Sequence, residues 1–300
     1  MVEDAGCKYK YIIYHELTDK WCKITMEEEN GRIVIGLTPS ESKRLIAKAV
    51  KSLEEVQQAL KHGTIIITLG TTNGYIAEEI LSDLSESKVE VEAEVGVGYK
   101  IDKPRYAAGI ITDRGLCIVP KDERAKEVIL KNGKISGEST EEAIENLSAS
   151  DVFIKGANVL DTTGTAGILM ANPSGGTIGS ALGTVMARGV HFIIPVGLEK
   201  TIPYSIVEIA KRVGIEKIRE TTGWPVGLMP VYGKVITEIE ALKILGAEDA
   251  YPIAAGGVDG GEGSVVICVE GSIEKLDELM SRVRGIKGEA PVKVVSTDCK

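Results

Sequence analysis

Apolar positions recur at helical spacing through residues 38–63, where Ile46, Ala49, Val50, Leu53, Val56 and Leu60 share one face. Thr38 reads as the N-cap of that helix, Pro39 as its first residue, Glu41 as the reciprocal partner of a capping box, and Gly63 as its stop. Ahead of it, the segments YKYIIYHEL, KWCKITME and RIVIGL alternate as short strands, with Glu28, Glu29, Asn30 and Gly31 as the turn between the last two. Next comes TIIITLG, a continuous apolar run followed at once by TTNGYIAEEILSDL: strand, glycine-rich turn, helix, the opening half of a parallel α/β unit. EEAIENL is a short helix capped by Ser139 and Glu142, and DVFIKGANVLD reads as one buried strand. Then NPSGGTIGSALGTVMARG leads into the run VHFIIPVG, and PYSIVEIAKRVG is helical.

This alternation predicts an α/β fold with a Rossmann-like, mostly parallel sheet and helices on both faces, spanning residues 1–225 with an N-terminal β-hairpin. AAGIITDRGLCIVPK and EVILKNGKI read as an insertion or sheet edge. From residue 226 to 300 the rhythm changes. GLMPVYGK, TEIEALKILG, AYPIAAGG, SVVICVEG, SIEKLDELMSRVRG and APVKVV predict β-α-β-β-α-β, the order of a ferredoxin-like α+β domain. Trp224 in TTGWP sits at the expected junction.

Aromatic residues make up only 4% of the 300 residues, so aliphatic side chains must fill the core, as suits parallel sheets buried on both faces. The net charge of −9, without a basic cluster, argues against nucleic-acid binding. Five scattered cysteines without a CxxC pair or Cys/His cluster indicate neither a disulfide framework nor a zinc site. No apolar leader or membrane-length run is present, so a cytoplasmic protein needing no metal or cofactor is expected.

Three glycine clusters carry the candidate chemistry. Gly70, Thr71, Thr72, Asn73 and Gly74 lie where a strand hands over to a helix; glycine lets a ligand approach the backbone, and the free amides of the helix start favour an anion. A tight turn with a threonine cap explains the same residues. Ser174, Gly175, Gly176 and Thr177 form the second cluster, exposing amides before another helix. The third, residues 256–263, is a long loop whose Asp259 or Glu262 could fold over a neighbouring ligand. Between the first two, Gly156, Asn158 and Asp161 fall at a strand end, where open α/β sheets place ligands, and Lys200 follows the next strand. Glu29 reads as a turn residue and His191 as a structural one.

The run from Gly156 to Asp161, the later Gly-Gly-Thr loop and Lys200 resemble the ribose-5-phosphate isomerase pattern. More broadly they are similar to the superfamily that joins sugar-phosphate isomerases, CoA transferases and the sensor domains of DeoR-type regulators, over about residues 60–205. The resemblance implies that the loop at Gly70 binds phosphate. It also exposes departures: the isomerases have an aspartate where Asn158 stands, and no carboxylate occurs between Thr162 and Leu198, where their glutamate base lies. Asp161 is then the one local candidate for proton transfer. Three readings follow: an isomerase- or transferase-like enzyme on a phosphorylated sugar, a sensor that binds without chemistry, and a homo-oligomeric assembly protein. They share a small anionic metabolite as the expected partner in all but the last.

Overall fold

A computed structural model describes residues 30–86 and 101–300, together with the backbone of two earlier strands. Those strands, β1 (Ile12–His15) and β2 (Lys20–Lys23), pair with each other as an antiparallel hairpin. In β3 (Asn30–Leu37), Asn30 and Gly31 are not turn residues as expected; they already pair with Ser272 and Gly271. Glu28 and Glu29 of that expected turn lie outside the described residues.

The helix expected over 38–63 forms in two pieces, α1 (Pro39–Ser52) and α2 (Glu54–His62). Its capping box is present: the Thr38 amide donates to Glu41 Oε2 at 2.9 Å, and the Glu41 amide donates to Thr38 Oγ1. Leu53 breaks the helix by adopting an extended backbone. Ser52 Oγ donates to Ala49 O at 2.8 Å and Gln57 Nε2 to Lys51 O at 2.7 Å, so side chains take up carbonyls that the break releases.

The strand β4 (Thr64–Ile67) and helix α3 (Thr71–Glu86) follow as the pattern predicts. Then come the hairpin β5 (Gly109–Thr112) and β6 (Gly115–Ile118), the edge hairpin β7 (Val128–Lys131) and β8 (Lys134–Ile135), and α4 (Thr140–Glu145) with its Ser139–Glu142 box. DVFIKGANVLD is not one strand. It splits into β9 (Val152–Ile154) and β10 (Val159–Asp161), which lie in different sheets. The chain continues through β11 (Ala166–Met170), α5 (Gly176–Arg188), β12 (His191–Pro195), β13 (Thr201–Ile202) and α6 (Ile206–Ala210). It ends with β14 (Gly227–Val231), β15 (Lys234–Ile236), α7 (Glu238–Ile244), β16 (Asp249–Gly256), β17 (Ser264–Ser272) and α8 (Ile273–Ile286).

The fold is mixed α/β, with the largest sheet six-stranded in the order β15-β12-β9-β4-β7-β8. Its first four strands are parallel, and the β7–β8 hairpin closes one edge antiparallel. Because successive side chains of a strand alternate faces, Ile65, Ile67, Val152, Ile154 and Ile193 pack on one side with residues of α1, α3, α7 and α8. Ile66, Phe153, Phe192 and Ile194 pack on the other with residues of α4 and α5. The remaining sheets are antiparallel or mixed: β13-β10-β11-β14 beside α6, and β16-β17-β3 beside α8.

The expected β-α-β-β-α-β arrangement of residues 226–300 does not form. Its first strand, β14, pairs with β11, and β15 extends the large sheet. APVKVV is not a strand; β3 takes the place beside β17, pairing over all eight of its residues, whereas Pro291 has no amide to donate. Strand pairing therefore crosses residue 226 in three sheets. Among the described residues no helix is long and apolar enough to cross a membrane.

A disulfide joins Cys117 to Cys299, although the cysteine spacing indicated no disulfide framework. A separation of 182 residues hides the pairing from the sequence. The tail reaches β6 because Ile118 and Asp298 exchange backbone hydrogen bonds of 2.9 and 2.8 Å, and Trp224 Nε1 donates to Asp298 O at 3.1 Å. Cys268 is free and buried.

Candidate anion site at the carboxyl ends of the parallel strands

The site begins with the loop between β4 and α3. Thr68, just past β4, is tied to β9 by its amide and its hydroxyl, both donating to Ile154 O at 3.1 and 3.0 Å. Asn73 Nδ2 donates to Thr68 O at 2.9 Å, which fixes the first turn of α3 against the strand ends. Gly70 precedes the helix and supplies the carbonyl for the Gly74 amide at 2.9 Å; the first amides of α3 have no carbonyl behind them. Thr72 and Asn73 are buried, yet Thr72 Oγ1 and Asn73 Oδ1 have no hydrogen-bond partner. From the far side, Arg44 of α1 anchors α3 through Glu79 at 2.8 Å and reaches Glu289 at 2.9 Å.

A cavity of about 430 Å³ opens onto this helix start. Gly70, Thr71, Thr72 and Asn73 line it on one side, and Lys155, Gly156 and Asn158 line it from the chain leaving β9. Gly156 lies close to both neighbouring segments: a Cβ there would sit in van der Waals contact with Pro195 O at 3.4 Å and Asn73 Oδ1 at 3.5 Å. Asn158 is held by the Leu169 amide, which donates to its Oδ1 at 3.0 Å. Much of the remaining lining is apolar, with Ile110, Ile111, Leu116, Ile168 and Trp224, and it includes the disulfide-bonded Cys117.

Three lysines and one glutamate complete the lining. Lys43 Nζ lies 3.5 Å from Glu199 and donates to Pro39 O at 3.1 Å. Lys200 Nζ donates to Ala157 O at 3.1 Å. Its pKa is lowered, chiefly by burial and further by Lys43, against the opposing pull of Glu199 and Glu238. Lys155 also has a lowered pKa, because burial disfavours its charge more than Glu127 restores it. Glu199 Oε2 is buried without a partner and packs on Gly197, where a Cβ would collide with the carboxylate. Behind it, Glu238 is fully buried and pushed up to about 7, first by burial and then by the charge of Glu199.

The site therefore gathers Gly70, Thr71, Thr72, Asn73, Gly156, Asn158 and Lys200 of the residues singled out in the sequence. Gly74 is not in the lining; it packs against Tyr106, whose Cβ would lie 3.4 Å from a Cβ at that position. Asp161 is not in it either, and its carboxylate is occupied. Its Oδ1 accepts from the Thr163 amide and hydroxyl at 2.9 and 2.7 Å and the Thr165 amide at 3.0 Å, and its Oδ2 from the Ile206 amide at 3.1 Å. Burial is the largest influence on its pKa and raises it, but these hydrogen bonds together hold it below the ordinary value. A carboxylate so held turns a loop and starts α6; it is a poor base.

Ser174, Gly175, Gly176 and Thr177 lie away from the cavity at the start of α5. Asn172 Oδ1 accepts from both the amide and the hydroxyl of Ser174, at 2.9 and 2.7 Å. In the third glycine cluster, Asp259 and Glu262 are exposed, and only Gly263 comes near the site, where a Cβ would lie 3.6 Å from that of Glu199. A second, more open hollow of about 320 Å³ lies beside His191, Tyr232 and Lys234, but Lys234 is already paired with Glu55 at 2.8 Å.

Lys43 and Lys155 were not singled out by the sequence, and Glu199, which follows the stretch without carboxylates, read as a solvent-facing residue but is largely buried in the cavity lining. For Lys155 a signal existed: a lysine directly after the buried run Val152–Ile154 stands at the mouth of a central strand. For Lys43 none did, because its side of α1 is defined only by what packs there. No protein-family model, curated protein or solved structure matches this chain.

Proposed function

We propose that this chain binds a small anionic metabolite, a phosphorylated sugar or a related phosphate or carboxylate, in the cavity at the ends of β4 and β9. One observation carries the reading: three lysines and the start of the 16-residue helix α3 converge on a cavity lined by a single carboxylate, in a chain of net charge −9. The apolar part of the lining suits the carbon skeleton of such a ligand. The unpartnered Thr72 hydroxyl favours a bound polar group, since a buried hydroxyl without a partner costs stability. Four parallel strands with a ligand cavity at their carboxyl ends support a Rossmann-like reading of the fold, and with it the superfamily resemblance.

Glu199 takes over the proton-transfer role first considered for Asp161. It lines the cavity, and Lys43, at 3.5 Å, engages its carboxylate only loosely. A sensor that binds without chemistry is the second reading, favoured by the absence of any other carboxylate in the lining.

The test is a thermal-shift series with inorganic phosphate, aldose and ketose phosphates, and small carboxylates. A compound present at about 100 times its Kd stabilises the native state by about 2.7 kcal/mol and raises the melting temperature visibly. A sugar phosphate that both shifts melting and gains solvent deuterium on a carbon beside its carbonyl marks the enzyme; a shift without exchange marks the sensor. No shift with any phosphate or carboxylate removes the anion-binding reading.

A further inference from the structure

Lys155 is chemically unlike its two neighbours. Lys43 is engaged with Glu199 and Pro39 O, and Lys200 with Ala157 O. Among the described residues, no hydrogen bond or ion pair engages the Lys155 ammonium. Its backbone is nevertheless fixed: the Lys155 amide donates to Ile193 O at 3.1 Å, directly after β9, whose three residues are fully buried. A rigid strand thus delivers a flexible amine into a cavity that already has other cations to hold an anionic tail.

We propose that Lys155 is a nucleophile that captures the carbonyl carbon of a phosphorylated or carboxylated aldehyde or ketone as an imine, a step that rests on the anion-binding reading above. The amine adds to the carbonyl carbon, and the carbinolamine then loses the former carbonyl oxygen as water. Starting from the ammonium, two of its protons leave with that water and the third stays on the protonated imine, so atoms and charge balance without oxidant or co-reactant. Burial that disfavours the ammonium supplies the neutral amine the addition needs. Glu199 is the cavity-lining carboxylate able to pass a proton to the departing hydroxyl. Lys200 and Lys43, with the start of α3, are left to hold the anion, a division of labour that three equivalent ion-paired lysines would not allow.

The probe is pyridoxal 5′-phosphate, a phosphorylated aldehyde with an apolar ring, incubated with the full chain, reduced with borohydride and mapped by peptide mass spectrometry. The same reaction is run with excess inorganic phosphate, and on Lys155→Arg and Lys155→Met variants shown to be folded by circular dichroism. The expected result is one dominant adduct on Lys155, protected by phosphate and absent from both variants. Its labelling should exceed that of every exposed lysine, because burial lowers its pKa and so raises the fraction present as neutral amine. If phosphate raises the melting temperature but the adduct falls on Lys200, on Lys43 or evenly over surface lysines, the imine is refuted and anion binding stands. If phosphate neither shifts melting nor protects any lysine, both readings fall together.

Discussion

Two loops of this chain are built from the same materials and have opposite surroundings. Gly70, Thr71 and Thr72 lead into α3, and Gly175, Gly176 and Thr177 lead into α5; each offers glycine, a hydroxyl and the free amides of a helix start. At α3, Thr72 is 3% exposed and Asn73 fully buried, and lysines from α1, from the end of β9 and from the turn before β13 share the cavity with them. At α5, Ser174 is exposed, its polar groups are met by Asn172, and none of Ser174, Gly175, Gly176 and Thr177 lines the cavity that α3 opens onto. On the proposed reading, a helix start becomes an anion site only where the rest of the fold encloses it and brings charge to face it. The local motif supplies the donors; three other segments supply the lysines, and the β5–β6 hairpin, β11 and Trp224 help to enclose them.

The comparison breaks most readily at Lys200. Replacing it by methionine should weaken inorganic phosphate binding by about 10–100-fold, the range expected for losing a hydrogen bond to a charged partner worth about 1.5–3 kcal/mol. Isothermal titration reads this directly. A loss below about twofold, within the scatter of surface changes, would mean that the buried cations do not face the ligand.

A second, smaller effect separates the site from its surroundings. Asp161→Asn should lower stability by about 1–3 kcal/mol, because four hydrogen bonds converge on the carboxylate and an amide must turn a donor toward at least one of them. Phosphate affinity should stay within about twofold. The folded pKa of Asp161 is depressed, so its contribution is present above the unfolded value and is lost as pH falls through the folded one. Urea denaturation should therefore show the gap between wild type and variant at neutral pH and show it closing below about pH 4. An unchanged stability with abolished phosphate binding would return Asp161 to the site.

What was legible in the sequence is what a few neighbouring residues decide. The Thr38–Glu41 and Ser139–Glu142 boxes, the passage from β4 to α3 and the strand at His191–Pro195 all depend on spacing within one or two turns. The site was half legible for the same reason: Gly70, Gly156 and Asn158 stand at strand ends, and strand ends can be read from apolar runs. What stayed hidden depends on distant partners. Asn30 looks like a turn residue until Ser272 pairs with it. Asp161 looks like a free carboxylate until Ile206 donates to it from 45 positions away. Lys43 is one charged helix residue among several until α1 packs its side against Glu199, and Cys117 finds its partner only when the tail is laid along β6.

The smallest effect is the sharpest comparison, because one change can be made in both loops. In Thr72→Val a hydroxyl that is buried and without a partner is replaced by a methyl of nearly the same shape, so the ligand-free protein should lose no stability and gain a little. If that hydroxyl is held for the anion, phosphate affinity should nonetheless fall by about 2–10-fold, the worth of a neutral hydrogen bond of about 0.5–1.5 kcal/mol. Stability and affinity would then move in opposite directions, which a misfolded or loosened variant cannot imitate. Thr177→Val, at the start of α5, should leave phosphate affinity within about twofold. Equal losses from both changes would dissolve the distinction between the loops, and with it the claim that enclosure by distant segments makes the site.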